Sequence, residues 1–287
     1  MLFLLTVAST FFVGAVQFDP SDTTGFGSHL ANGAVFSFTI MSILLSHEMG
    51  HYVAARFHEV KATLPFFLPF PFSLVGTLGA FILIRSPFPR RRSLLDIGLA
   101  GPFAGFLVCL PALIVGISQC RVAAPGPSTD AITFGEPLLF RLISTWRWPG
   151  LTEDQVLYIG PVGLAAWFGL LVTAINLIPI GQLDGGHATY ALFRKTAHRI
   201  SHYAFLLMFP LAYFGPSWLV WAVLVYALGI RRPHPPTLDD GEPLPRSRKI
   251  LGALGYATFA LCFTPQPIAF SWRSAFSALQ ELFRQAI

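Results

Sequence analysis

Two histidines and a glutamate lie within five consecutive residues of an apolar stretch. His47, Glu48 and His51 form the pattern H-E-x-x-H. On a helix, residues four apart lie one above the other on the same face, so both imidazoles can bind one zinc ion. The glutamate lies beside them, close enough to take a proton from water activated by the metal. Ionisable groups are costly in an apolar span unless they are paired or metal-bound, which favours a zinc site over a coincidental polar pair on a packed helix.

A second segment offers a third ligand, which a catalytic zinc site requires beside one open position. Asp184 follows the stretch from Asn176 to Pro179 and precedes Gly185, so helix-breaking residues surround it. A broken helix at membrane depth is tolerated where it lines a cavity or is covered by protein. The alternative is an ordinary Pro-Gly turn in which Asp184 caps the helix that starts at Gly185. Its combination with H-E-x-x-H favours the ligand interpretation.

The composition predicts that lipid is the solvent of this chain. Of its 287 residues, 54% are hydrophobic and 11% are charged, against about a quarter charged in a typical soluble domain. The mean hydropathy is +0.61. The net charge of +5 comes from short basic clusters between apolar runs. That pattern is typical of cytoplasmic loops and not of a nucleic-acid-binding face, so we expect a lipid bilayer and no nucleic acid as partner.

About six apolar runs predict the fold class, an all-α polytopic membrane protein with about six transmembrane segments. The run at 201–230 contains Gly215-Pro216 and is either one kinked span or a tight pair of short ones. We expect a single membrane-embedded domain over 1–287, with a catalytic core at 28–193 and additional transmembrane segments at 1–17 and 200–270. The runs cover residues 1–16, 30–57, 94–118, 156–178, 201–230 and 250–263.

Charge also predicts the orientation of the spans. The loop at 85–92 is the most basic, and positively charged loops remain in the cytoplasm. The run at 30–57 then passes inward, 94–118 outward and 156–178 inward again. The H-E-x-x-H pattern and the Asp184 segment therefore reach a similar depth on the cytoplasmic side.

Together, these motifs resemble the site-2 protease family of intramembrane zinc metalloproteases. The segment at 99–105 is similar to the family's Gly-Pro motif, which opens the helix between the two ligand-bearing ones. The segment at 76–85 resembles a small membrane-associated β-hairpin that precedes this helix. We expect neither a PDZ insertion nor a C-terminal nucleotide-sensing domain. The residues that match the family's second motif, N-x-x-P-x-x-x-L-D-G, are Asn176, Pro179, Leu183, Asp184 and Gly185.

The resemblance implies hydrolysis of peptide bonds within or near transmembrane segments of membrane proteins, as in regulated intramembrane proteolysis. One Zn²⁺ ion would be bound by His47, His51 and Asp184, with Glu48 as the general base for the zinc-activated water. Asn176 would hydrogen-bond the substrate or the developing oxyanion; alternatively, it satisfies backbone groups freed by the helix break. The expected partner is a transmembrane protein or peptide, and the expected location is the bacterial inner membrane, with organelle membranes as the alternative.

Two other functions compete with proteolysis. A catalytically silent zinc-binding membrane protein could bind or chaperone transmembrane segments, but such a protein needs no base at Glu48. A metal transporter also carries ionisable groups in apolar helices, but transporters typically show inverted repeats, which this sequence lacks.

The sequence allows more than one role for each of three further features. His187 is either a metal neighbour or, more simply, a polar residue on a helix surface near the membrane interface. Asp96 is interpreted as a first-turn helix charge or as the partner of an arginine in the preceding loop. The Phe- and Pro-rich stretch at 64–72 is predicted to be a re-entrant loop, an interfacial loop or a gate.

Overall fold

The computed structural model describes residues 1–17, 26–124, 133–152 and 154–268. Over these ranges the chain is mostly helical and carries two small two-stranded sheets. The helices are α1 (Leu2–Gln17), α2 (Phe26–Phe57), α3 (Arg91–Ser118), α4 (Leu138–Arg147), α5 (Pro161–Leu177), α6 (Asp184–Phe193), α7 (Thr196–Leu211), α8 (Ser217–Ala227) and α9 (Arg246–Cys262). The strands are β1 (Phe66–Pro69), β2 (Thr77–Phe81), β3 (Arg121–Ala123) and β4 (Val156–Tyr158).

Helices α2 and α3 form the centre of the molecule and pack along each other. Both are long and apolar enough to cross a bilayer, whereas the apolar helices α1, α5 and α8 are shorter. The mostly helical fold with a small hairpin is therefore confirmed. The number of six transmembrane segments stays a prediction.

The main core lies where α5 packs against α2 and α3. Its largest fully buried side chains come from all three helices. They include Phe36, Ile43, Leu113, Trp167 and Leu170. Because apolar burial is the main stabilising term in packing, this three-helix contact fixes the relative positions of the segments that carry the two motifs.

Two predicted spans differ from the observed helices. The run at 156–178 begins as the strand β4, and α5 starts only at Pro161, because proline favours the first position of a helix. The run at 201–230 forms two helices, α7 and α8, separated around Pro216, rather than one kinked span. The last two residues of the predicted segment 200–270 lie outside the described residues.

The predicted hairpin is present but begins earlier than expected. Strand β2 pairs antiparallel with β1, so that Phe66 faces Phe81 and Phe67 faces Ala80. The interpretation of 64–72 as a loop is therefore wrong over β1. Phe67 is buried, and its ring packs edge-on against that of Phe3 in α1, with the ring centroids 5.1 Å apart. This burial against α1 favours a strand here. The second sheet, β3 with β4, was not predicted.

Candidate metal centre

Three donor atoms from the two motifs converge on one point. His47 Nε2 lies 3.2 Å from His51 Nε2. Asp184 Oδ2 lies 3.3 Å from the former and 3.2 Å from the latter. In the described part of the chain, the His, Cys, Asp and Glu side chains that lie close enough together to hold a metal ion are those of His47, His51 and Asp184.

These spacings fit one zinc ion. Tetrahedral zinc binds nitrogen and oxygen at about 2.0–2.1 Å, so neighbouring donor atoms should lie about 3.3–3.4 Å apart. Two imidazoles and one carboxylate are also a typical donor set of catalytic zinc, which keeps a fourth position open. The residues present therefore fit the metal in both spacing and chemistry.

The helix α2 places both histidines on the face that packs against α3. Both are buried, and their ring centroids are 4.9 Å apart. His51 Nδ1 lies 2.8 Å from the main-chain carbonyl oxygen of Ile97 in α3. When Nδ1 donates its proton to that oxygen, the lone pair of Nε2 faces Asp184, which is the tautomer that a metal ligand needs.

The break between α5 and α6 places Asp184 beside the two histidines. Gly181 has a φ of +48°, a left-handed conformation that favours glycine. A Cβ on Gly185 would collide with the carbonyl of Leu177, so the chain reverses tightly here. Leu183 is the N-cap residue of α6, and Asp184 is the first helical residue. The alternative in which Asp184 caps the helix is therefore wrong, and its carboxylate contacts the two imidazoles instead.

Glu48 lies between the donor cluster and the hairpin. Its side chain is 6% exposed. Its carboxylate interacts electrostatically with both histidines and with Asp184, and it lies near the main-chain N–H of Ile82, directly after β2. The structure thus brings Glu48 next to His47 and to the end of a strand.

Asn176, in the last turn of α5, reaches the same donor cluster. Its amide nitrogen lies 3.3 Å from His47 Nε2. Among the described residues, the side-chain contact of Asn176 is with this histidine and not with backbone groups around Pro179. All five residues predicted for the site are thus within one small region.

The comparison with known families agrees with this geometry. The family model of peptidase family M50 matches residues 35–213, which include all five residues of the region. The chain belongs to peptidase family M50, the site-2 protease family. The resemblance of the two motifs to this family is therefore confirmed, and the family and its relatives identify zinc as the cofactor.

Relatives of known sequence in plants carry matching names. The chain is 34% identical over 240 residues to the probable zinc metalloprotease EGY1, chloroplastic, of Arabidopsis thaliana, covering 81% of this chain and 42% of that protein. It is 31% identical over 246 residues to the probable zinc metalloprotease EGY2, chloroplastic, of the same plant, covering 85% of this chain and 43% of that protein. The chain thus spans less than half the length of these relatives. No solved structure shows a significant match.

The Gly-Pro motif of the M50 family has a role that sequence reasoning missed. A Cβ on Gly101 would overlap the His51 ring, and one on Gly105 would lie 3.1 Å from the Cβ of His47. The two glycines are four apart and thus face α2 together. Small residues at this spacing let two helices approach closely, which is the sequence signal that indicates their role.

Asp96 has partners that the sequence did not predict. It is the sixth residue of α3, so it is not a first-turn charge. Its two oxygens accept hydrogen bonds from Arg248 of α9, both at 2.9 Å, and one lies 3.1 Å from His58 Nε2. Arg92, the second residue of α3, also pairs with Asp96 at the longer distance of 3.8 Å, so an arginine near the start of α3 is one of its partners. Asp96 therefore links α3 to the turn after α2 and to α9.

His187 lies outside the donor cluster. Its ring contacts those of Phe88 and His234, with centroids 5.7 and 4.9 Å away. Its Nδ1 is shielded from solvent and has no hydrogen-bond partner among the described residues. The structure thus places His187 against aromatic rings and not on an open helix surface.

Proposed function

We propose that this chain is an intramembrane zinc metalloprotease that hydrolyses peptide bonds within or near transmembrane segments of membrane proteins. The observation that supports it best is the convergence of His47, His51 and Asp184 beside the carboxylate of Glu48. Membership of the M50 family and the names of the relatives support zinc-dependent proteolysis. The apolar helices α2 and α3, which pack together at the site, support a substrate that lies in the membrane.

Each residue of the site has a distinct task in the proposed reaction. His47, His51 and Asp184 would hold one Zn²⁺ ion, which would supply Lewis-acid polarisation of the scissile carbonyl and a lower pKa for the attacking water. Glu48 takes a proton from the attacking water and passes it to the leaving amide nitrogen. Asn176 donates a hydrogen bond from its amide to the carbonyl oxygen as negative charge develops there.

The hairpin supplies a place for the substrate. A transmembrane helix hides its peptide bonds in its own hydrogen bonds, so it must unwind before attack. Strand β2 pairs with β1 along one edge, and its other edge is unpaired among the described residues. A substrate segment added along this edge would extend toward Ile82, which lies near Glu48.

We also propose that the chain is a multi-pass protein with about six transmembrane segments in one domain. The long helices α2 and α3 and the shorter apolar helices support this arrangement. The bacterial inner membrane remains the predicted location. The two plant relatives carry the word chloroplastic in their names.

Cleavage of a model membrane-spanning substrate tests the mechanism. We expect Glu48→Gln to lower the rate by roughly 10²-fold or more, while the purified variant retains zinc. Glu59→Gln is the matched control, because Glu59 is exposed in the turn after α2 and should leave the rate unchanged. Wild-type cleavage by Glu48→Gln would refute the proposed role of the base. Zinc-loaded wild type that cleaves no such substrate would favour the silent binding protein instead.

A further inference from the structure

A basic cavity lies directly beside the broken segment that carries Asp184. It has a volume of about 330 Å³ and is enclosed by α6, α7 and the residues that follow α8. Five of its lining residues are basic or can become so: His198, His202, Arg231, Arg232 and His234. Among the described residues, no aspartate or glutamate lines it. An anion is therefore the type of occupant that its charge favours.

In the part of the chain that the structure describes, Arg231 and Arg232 have no acidic partner. Among the described residues, neither guanidinium lies within 4.0 Å of a carboxylate, whereas Arg90 pairs with Glu242. The guanidinium of Arg231 lies over the rings of Tyr226 and Phe205, at 4.7 and 5.6 Å from their centroids. Such stacking uses the flat face of the group and leaves its N–H donors available.

We propose that this cavity binds a phosphate ester, of the kind carried by the headgroup of an anionic phospholipid. Arginine forms paired, charge-assisted hydrogen bonds with phosphate oxygens. The cavity has roughly ten times the volume of a water molecule, about 30 Å³, so it accommodates a headgroup and not only a small ion. Basic pockets between membrane helices on the cytoplasmic side are known to bind anionic headgroups.

The surrounding surface favours a lipid as the source of the phosphate. The helices α7 and α8, which flank the cavity, expose large apolar side chains outside it. These side chains can contact acyl chains while the headgroup enters the basic cavity. They include Leu206, Leu207, Phe209, Val220 and Val223.

The cavity is joined to the loop before Asp184 by two hydrogen bonds. The N–H of Gly181 donates to Ser201 Oγ at 2.8 Å, and the N–H of Gln182 donates to the carbonyl oxygen of Ile230 at 2.9 Å. Ser201 lines the cavity, and Ile230 directly precedes Arg231. A phosphate in the cavity would lie between Ser201 and the segment that starts at Ile230, so its binding should stabilise both anchors of this loop. This coupling rests on the proposed ligand role of Asp184, whereas the phosphate site does not.

Native mass spectrometry of the purified full chain in detergent tests the site. We expect phosphatidylglycerol to bind more tightly than phosphatidylcholine to wild type. The double variant Arg231→Gln/Arg232→Gln should lose roughly tenfold or more in affinity for phosphatidylglycerol. The matched control is Lys195→Gln/Arg199→Gln, which removes the same charge from exposed positions on the same side of the molecule, outside the cavity lining. Equal losses in both variants, or no preference for the anionic lipid, would overturn the proposal.

Soluble phosphates identify the source of the ligand. Glycerol 3-phosphate and inorganic phosphate are titrated against the complex of wild type with phosphatidylglycerol. Displacement at micromolar to millimolar concentrations supports a soluble phosphate in this cavity. Retention of the lipid supports a headgroup anchored by its acyl chains. Binding of neither lipid nor soluble phosphate contradicts the site.

Retention of zinc against a chelator tests the coupling. Phosphatidylglycerol should slow zinc loss from wild type. Two ligands that favour the same arrangement of the loop each raise the affinity of the protein for the other. Ser201→Ala removes the hydrogen bond to Gly181 but no charge, so it should keep lipid binding and lose this protection. If the lipid does not change the rate of zinc loss from wild type, the coupling is refuted but the phosphate site is not. Absence of zinc from every variant, with lipid binding intact, would instead refute the proposed metal site.

Discussion

The imidazole of His51 has a partner at each of its nitrogens. Ile97 offers a carbonyl oxygen to Nδ1, and Asp184 lies 3.2 Å from Nε2. The same carboxylate lies 3.3 Å from His47, one helical turn away. Because Asp184 is the acidic member of the donor set, we expect it to supply both a ligand atom and the negative charge that attracts a divalent cation.

Replacing this carboxylate should therefore weaken zinc binding strongly. We expect Asp184→Asn to lower zinc affinity by more than the roughly 10–100-fold that loss of an outer hydrogen-bond partner costs. Competition with a chromogenic chelator measures the effect. Asp154→Asn, at an exposed position, should leave the affinity unchanged. Wild-type affinity in Asp184→Asn would exclude Asp184 as a ligand.

At the scale of elements, the close approach of α3 to α2 determines whether the site can form. Gly50 of α2 faces the carbonyl of Ala100, while Gly101 and Gly105 of α3 face the two histidines. None of these positions leaves room for a Cβ without movement of its neighbour. The helix contact and the metal centre therefore depend on the same small residues.

Gly101→Ala tests this dependence. In an exposed helix, alanine in place of glycine stabilises by about 0.5–1 kcal/mol. At Gly101 the new Cβ overlaps His51, so we expect the opposite sign, a loss of about 1–3 kcal/mol together with loss of zinc. Thermal unfolding and zinc content measure both effects. Gly27→Ala is the control, since a Cβ there meets nothing within 4 Å; equal behaviour of the two variants would contradict the packing account.

Sequence reasoning succeeded where a local rule sufficed. His47 and His51 lie on the same helix face because of helical periodicity alone. The helix break before Asp184 follows from Pro179 and Gly181. The strand β1 was missed because its formation depends on burial of Phe67 against α1, which is far away along the chain. The pairing of Asp96 with Arg248 was missed for the same reason, as 152 positions separate the two residues.

The distribution of charge along the chain predicts how the molecule is oriented across the bilayer. The long helix α3 separates the basic loop at 85–92 from the region after Ser118. Positively charged loops remain in the cytoplasm, so the two ends of α3 should face opposite compartments. The donor cluster and the basic cavity then lie toward the cytoplasmic side.

Labelling of introduced cysteines with a membrane-impermeant maleimide checks this orientation in intact cells. We expect Gln119→Cys to react from outside and Arg90→Cys to react only after the membrane is opened. Both positions are exposed, whereas the native Cys109, Cys120 and Cys262 are buried, so wild type should give little background. Labelling of Arg90→Cys from outside would invert the proposed orientation.

We expect one zinc ion to be held by His47, His51 and Asp184. X-ray absorption at the zinc edge of the purified protein tests it most directly. We predict one zinc per chain with nitrogen and oxygen neighbours at about 2.0–2.1 Å, including two imidazoles, and no sulfur shell near about 2.3 Å. This signal should be lost in His51→Ala. A sulfur shell, or an unchanged spectrum in that variant, would contradict the account.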